Sequence, residues 1–393
     1  MKYITRTVWI LSLVSLFTDT ASEMLYPIMP IYLKSIGYSI LLIGVIEGIA
    51  EATAGLSKGY FGKLSDVTGK RVPFVQLGYT LSAVSKPLMA LFIYPVWILF
   101  SRSIDRLGKG IRTGARDALL SDEATPATKG KVFGFHRGMD TLGAVLGPSF
   151  ALLYLYYYPA NYKTLFFIAF IPGILSVFSS LLLSKKKAIP NTAKSKFSFF
   201  SFIHYWKEST PSYRKLVLGL LALTLFNSSD VFLLLKAKQS GLNDTWVIGV
   251  YIFYNLVYAV FSFPLGVIAD KWGLRKIFIG GLVLFVVVYV GMSFNTNLYI
   301  FFVLFFLYGI YAAATEGIAK AWISNISKKE DTATSIGTYS AFQSICTMLA
   351  SSLAGLIWYT AGSSVTFLVT GITTALVVLY FLFCTSNPKL VVV

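Results

Sequence analysis

Charged side chains recur inside stretches that are otherwise apolar, and their spacing groups them. Asp19 and Glu23 lie one helical turn apart, as do Glu47 and Glu51, while Lys86 stands alone in its stretch. A fourth stretch carries Arg102, Asp105, Arg106, Lys109, Arg112, Arg116 and Asp117, and a fifth carries His136, Arg137 and Asp140. At about 100° per residue, Arg102, Arg106, Lys109, Arg112 and Arg116 form one stripe roughly a third of a helix circumference wide. A charge at the bilayer centre costs at least about 2.5–3.5 kcal/mol, so this stripe must face a bundle interior or a water-filled cavity. The nearby acids can neutralise it pairwise. Pairing so many charges in lipid is a poor route to stability, so the cluster as a whole is read as functional. A carboxylate in a half-dry cavity is a natural proton carrier, because burial and a nearby arginine act on its protonation in opposite senses. Glu23 is the first candidate for that role and Asp19 the second, with Glu47 and Glu51 beside them and Arg106 or Arg112 as counter-charge.

The C-terminal part is quieter. Its intramembrane charges reduce to Asp230, Lys236, Glu316 and Lys320. Asn227, Asp230, Tyr251, Tyr254, Asn255 and Glu316 are the expected lining of a substrate cavity on that side. On the other side the expected lining is Arg102, Asp105, Arg106, Lys109, Arg112, Arg137 and Asp140. Cys346 and Cys384 sit in apolar stretches without partner spacing, and His136 and His204 are the only histidines. Neither a disulfide scaffold nor a soft-metal centre is readable, and no metal site is predicted.

These residues need elements to hold them, and composition says what kind. Of 393 residues, 56% are hydrophobic and 13% charged, and the mean hydropathy is +0.70. A soluble protein carries about 25% charged residues, so much of this chain must be solvated by a bilayer, and a soluble enzyme is excluded. Twelve apolar spans are expected, near 7–33, 40–61, 73–93, 95–117, 132–156, 164–184, 214–236, 246–268, 276–294, 298–323, 334–360 and 364–384. No cleavable signal peptide is evident.

The net charge of +17 comes mainly from loops between spans, not from one soluble face, so nucleic acid is not an expected partner. Lysine and arginine concentrate in one set of loops, which places both termini and the 185–213 segment in the cytoplasm. That segment divides the chain into an N-terminal bundle, 1–184, and a C-terminal bundle, 214–393. The halves repeat: Gly62-Lys-Leu-Ser-Asp66-Val-Thr-Gly69-Lys-Arg71 recurs as Gly266-Val-Ile-Ala-Asp270-Lys-Trp-Gly273-Leu-Arg275. Two such halves are the sequence form of a parallel repeat.

The segment 62–71 resembles the signature between the second and third helices of the major facilitator superfamily, and its copy at 266–275 sits where that family repeats it. Gly143-Ala-Val-Leu-Gly147-Pro148 is similar to the family's antiporter-associated motif in the fifth helix. Glu23-Met-Leu-Tyr-Pro27 resembles the acid and following proline in the first helix of some bacterial drug/proton antiporters. The resemblance covers essentially the whole chain. It implies an all-α fold of two pseudo-symmetric six-helix bundles, acting as a monomer in the inner membrane.

In the doubled turn, Asp66 and Asp270 can bind basic residues or the N-terminus of a neighbouring helix. Gly62, Gly69, Gly266 and Gly273 allow the turn and the close approach, with Arg71 and Arg275 alongside. Such a turn is expected to latch one transport state. No phosphate-binding loop is present, so coupling to protons is expected, without another cofactor. The preferred reading is drug or metabolite/proton antiport. The basic stripe motivates an alternative, proton-linked import or exchange of an anion such as an organic acid, sugar phosphate or ferric siderophore. An arginine left over after all acid–base pairs are made would favour the anion. A hard-metal carrier using Asp19, Asp230 and Asn227 is a lesser alternative.

Overall fold

The computed structural model describes residues 4–184, 201–227, 230–242 and 244–384, so most of the expected 185–213 segment lies outside it. Its regular structure is helical, with no strand among the described residues. α1 (Arg6–Leu25) starts where the Thr5 hydroxyl accepts the Val8 N–H at 3.3 Å. α2 (Met29–Ser35) follows after a break. The expected 7–33 span is therefore two helices, because Pro27 and Pro30 supply no N–H to continue the ladder. Next come α3 (Ile40–Thr68), α4 (Arg71–Leu91), α5 (Pro95–Asp122), α6 (Lys129–Tyr157) and α7 (Tyr162–Leu181).

A short α8 (Ser201–Glu208) precedes α9 (Pro211–Phe226) and α10 (Asp230–Gln239). These last two share one expected span, interrupted where Asn227 takes an extended conformation (φ −81°, ψ 118°). α11 (Asp244–Trp272), α12 (Leu274–Phe294), α13 (Leu298–Ile326) and α14 (Thr332–Cys384) complete the chain. α14 is two helices joined at Gly362, whose φ of +86° only glycine adopts readily, and the expected split lies there.

Seven segments among the described residues are long and apolar enough to cross a membrane. α3 and α5, which hold the charged rows, do not qualify on composition.

The described helices form two compact units, each assembled from both sequence halves. The first contains α1–α5, α6 from Met139 onward, α7, α8 and the start of α14 as far as Ser344. The second contains residues 124–138, α9–α13 and α14 from Ile345. In the first, α5 packs along both α3 and α4, and α7 packs on α1 and α4. In the second, α13 packs on both α11 and α12.

Candidate substrate and coupling sites

In the first unit, α5 brings the basic stripe against acids of α3 and α6 as well as its own Asp105 and Asp117. The Arg102 guanidinium donates to both oxygens of Glu47, its Nε at 2.7 Å from Oε1. Asp105 is 3.7 Å from Arg102 and accepts the Lys86 ammonium at 2.7 Å, and Lys86 also reaches Ser22. Arg106 stands 3.7 Å from Glu51, and its buried Nε has no hydrogen-bond partner among the described residues. Arg116 pairs with Asp117 at 2.9 Å and lies 3.9 Å from Asp140.

Two bases remain after this pairing. Arg112 is buried, donates to the Ser82 hydroxyl, and stacks its guanidinium 4.6 Å above the Tyr79 ring. Neither neighbour carries negative charge. Lys109 is exposed and makes no ion pair with a described residue, although Asp19 and Glu51 are near enough to feel its charge. Lys86, Ser82 and Tyr79 were absent from the expected lining: a lone lysine and two neutral residues in α4 carry no spacing signal.

Asp19 and Asp140 are close enough for their carboxyl groups to interact, and Glu23 is close enough to act on Asp19. The motif of Gly143 and Gly147 explains the first contact. A Cβ at Gly143 would lie 2.7 Å from the Leu16 carbonyl, and one at Gly147 would lie 2.6 Å from the Met24 nitrogen. Only glycine lets α6 approach α1 this closely, and Asp140 sits one turn before Gly143. Pro148 falls inside α6, which continues through it to Tyr157.

The repeated turns make the same bond, each within one unit. Asp66 accepts the Thr334 N–H at 2.6 Å, the Thr334 hydroxyl at 2.8 Å and the Ala333 N–H at 3.3 Å, capping the start of α14. Asp270 accepts the N–H groups of Gly130 at 2.7 Å and Lys131 at 2.9 Å, at the start of α6. Gly69 (φ +63°) and Gly273 (φ +101°) make the turns after the two acids. A Cβ at Gly62 would meet the Ala333 carbonyl at 2.6 Å, and one at Gly266 the Gly130 carbonyl at 2.2 Å. The arginines differ. Arg71 lies 3.4 Å from Asp66 and also binds Asp122, whereas Arg275 donates to the Phe381 and Leu382 carbonyls near the end of α14.

In the second unit, Arg137 donates to the Tyr258 hydroxyl, lies 3.5 Å from Glu316 and faces the Tyr258 ring at 5.4 Å. Asn255 donates to the Tyr251 carbonyl at 2.9 Å, and Asn227 accepts the Tyr289 hydroxyl at 3.3 Å. Asp230 accepts the hydroxyls of Tyr254, at 2.6 Å, and Tyr308. Tyr308 was not anticipated, since one tyrosine in the aromatic-rich α13 has nothing in the sequence to set it apart.

The family model of the Major Facilitator Superfamily matches residues 11–254 and 237–391. This chain belongs to the major facilitator superfamily. An uncharacterized MFS-type transporter of Methanocaldococcus jannaschii is 32% identical over 364 residues, covering 91% of this chain and 89% of that protein. The quinolone resistance protein NorA of Staphylococcus aureus is 24% identical over 63% of this chain and 69% of its own. Among solved structures, the human organic anion transporter MFSD10 superposes with a TM-score of 0.84 over 96% of this chain and 99% of its own, at 18% identity. That likeness establishes the fold. The protein is a membrane-embedded secondary transporter of a small molecule.

Proposed function

We propose that this MFS transporter carries an organic anion, whose carboxylate Lys109 binds with support from Arg106 and Arg112. The observation behind this is the pairing in the first unit: every carboxylate beside Arg102, Arg106 and Arg116 is engaged, while Lys109 and Arg112 lack one. Uncompensated cations within the hydrocarbon region are costly unless a ligand neutralises them, and a guanidinium fork suits a carboxylate. Lys109 is the exposed member and makes first contact. The organic anion transporter of like fold supports this reading through its name. NorA, by its name, stands with drug/proton exchange, which the α1 acids and the Gly143–Gly147–Pro148 motif also suit.

Transport is coupled to protons through Asp19 and Glu23, with Glu47 and Glu51 held by the α5 arginines. The protein works by alternating access as a monomer in the inner membrane, with both termini cytoplasmic and no cofactor beyond the proton. Residues 1–184 and 214–393 act as its two bundles, joined by 185–213, and the Asp66 and Asp270 turns latch one of its states.

The test is counterflow into proteoliposomes of the full-length protein with radiolabelled citrate, malate, glucose 6-phosphate and tetraphenylphosphonium. Saturable movement of an anion, lost in Lys109→Gln, is expected. Movement of tetraphenylphosphonium alone, or wild-type anion flux in Lys109→Gln, would overturn the reading.

A further inference from the structure

The second unit contains a carboxylate in the opposite predicament. Asp230 begins α10, directly after the break in its span, and is half-buried. Its side-chain hydrogen-bond partners among the described residues are two tyrosine hydroxyls, Tyr254 at Oδ2 and Tyr308 at Oδ1, and no lysine, arginine or histidine among them forms an ion pair with it. Each carboxylate oxygen accepts one tyrosine hydroxyl. The N-terminus of α10 supplies the equivalent of about half a positive charge, short of a full counter-charge for a carboxylate. A carboxylate in an apolar span with no basic partner among the described residues suits a cationic ligand.

The surroundings select what kind. Tyr254 and Tyr308 are themselves buried, their ring centroids 5.4 Å apart and edge-on. Tyr251 meets Tyr254 at 5.4 Å, also edge-on, and Phe305 stacks on Tyr254 at 6.1 Å. Aromatic faces attract cations and are the usual partners of alkylated ammonium groups. A hard metal ion wants six to eight oxygens. Here the side-chain oxygen of Asn227 is already occupied by Tyr289, and no group of three or more His, Cys, Asp or Glu residues able to hold a metal occurs among the described residues.

We infer that Asp230, held by Tyr254 and Tyr308, is a binding site for an organic ammonium group, with the half-buried Tyr251 ring as the accessible part of its apolar wall and the buried Tyr254 and Phe305 rings behind it. The carboxylate supplies the counter-charge and the Tyr251 ring supplies contact with the N-alkyl groups. The half-burial of Asp230 leaves it open to such a ligand. This site belongs to the second unit, whereas Lys109 and Arg112 belong to the first, and it does not depend on the anion reading.

The experiment is equilibrium binding of radiolabelled benzyltrimethylammonium to the purified full-length protein. Wild type should bind it saturably, and Asp230→Asn, which keeps an oxygen and the shape, should weaken binding about tenfold or more. Tyr254→Phe and Tyr308→Phe should each weaken it about threefold by loosening the carboxylate. An excess of sodium chloride, compared with the same excess of potassium chloride, should not compete. Absence of saturable wild-type binding, unchanged binding in Asp230→Asn, or specific competition by sodium would each overturn the assignment. If Asp230→Asn does not elute as a monodisperse protein, the tyrosine variants decide, and unchanged binding in both overturns it. Citrate counterflow, measured in parallel, reports on Lys109, so the anion reading fails or stands on its own result.

Discussion

The carboxylate of Asp66 lies 2.6 Å from the backbone nitrogen of Thr334, a residue 268 positions later in the chain. The same relationship recurs between Asp270 and Gly130 at 2.7 Å. In both cases an acid just beyond an apolar span caps the first turn of a helix from the other sequence half, neutralising orphan N–H groups and the positive end of the helix dipole.

Removing the cap should therefore cost more than a surface charge. Asp66→Ala leaves the Ala333 and Thr334 N–H groups buried without a partner, at an expected cost of about 1–3 kcal/mol. Asp66→Asn retains one acceptor and should lose about half as much. Thermal unfolding of the purified variants measures this, with transport assayed alongside. Wild-type behaviour of Asp66→Ala in both assays would reduce the turn to a topological marker.

The closeness of α6 to α1 yields a steric prediction. A methyl at Gly147 would lie 2.6 Å from the Met24 nitrogen and 2.7 Å from the Thr20 carbonyl, where backbone cannot yield as a flexible side chain can. Gly147→Ala should destabilise the protein by about 1–3 kcal/mol and separate Asp140 from Asp19. Lower thermal stability with reduced transport is expected. An unchanged melting curve would show that α1 adjusts freely.

Lys109 and Arg102 share a helix face but should respond differently to loss of charge. Arg102→Gln abandons Glu47, which is one-third exposed, and Asp105, which keeps Lys86, so a cost of about 1–3 kcal/mol is expected. Lys109→Gln orphans nothing, so its melting temperature should stay near wild type while anion affinity falls. Equal destabilisation of the two variants would mean that Lys109 has a structural partner.

Proton coupling should show itself as a split between two assays. Glu23→Gln and Asp140→Asn are expected to abolish accumulation driven by a pH gradient while sparing substrate exchange at symmetric pH, where no net proton movement is required. Full gradient-driven accumulation in Glu23→Gln would remove it as the carrier. The same outcome in Asp140→Asn would leave the Asp19–Asp140 contact a structural one.

Apolar spans, the doubled turn and the charged stripe were legible from sequence alone, because each rests on a local property: hydropathy over a helix length, a short repeated motif, or a 100° periodicity. Such properties brought out the membrane-protein class, the helices and the family without any knowledge of contacts. The break at Gly362 belongs to the same category, since turn chemistry places it, whereas the break at Pro27 falls inside a span expected to be continuous. The extended conformation of Asn227 lies outside that category too, as asparagine carries no comparable restriction.

Partner choice was the part that tertiary structure decided. Periodicity puts Arg102, Arg106, Lys109, Arg112 and Arg116 on one face, yet it cannot say which of them meets an acid. That depends on the axial register of α3 and α4 against α5, which side-chain packing and close helix contacts set. Register gives Arg102 to Glu47 and Lys86 to Asp105, and leaves Arg112 against Ser82 and Tyr79. It likewise sets Asp230 between two tyrosines from α11 and α13. A shift of one residue turns a helix by about 100° and would exchange these partners, so the charge balance of each unit is a property of the packed helices.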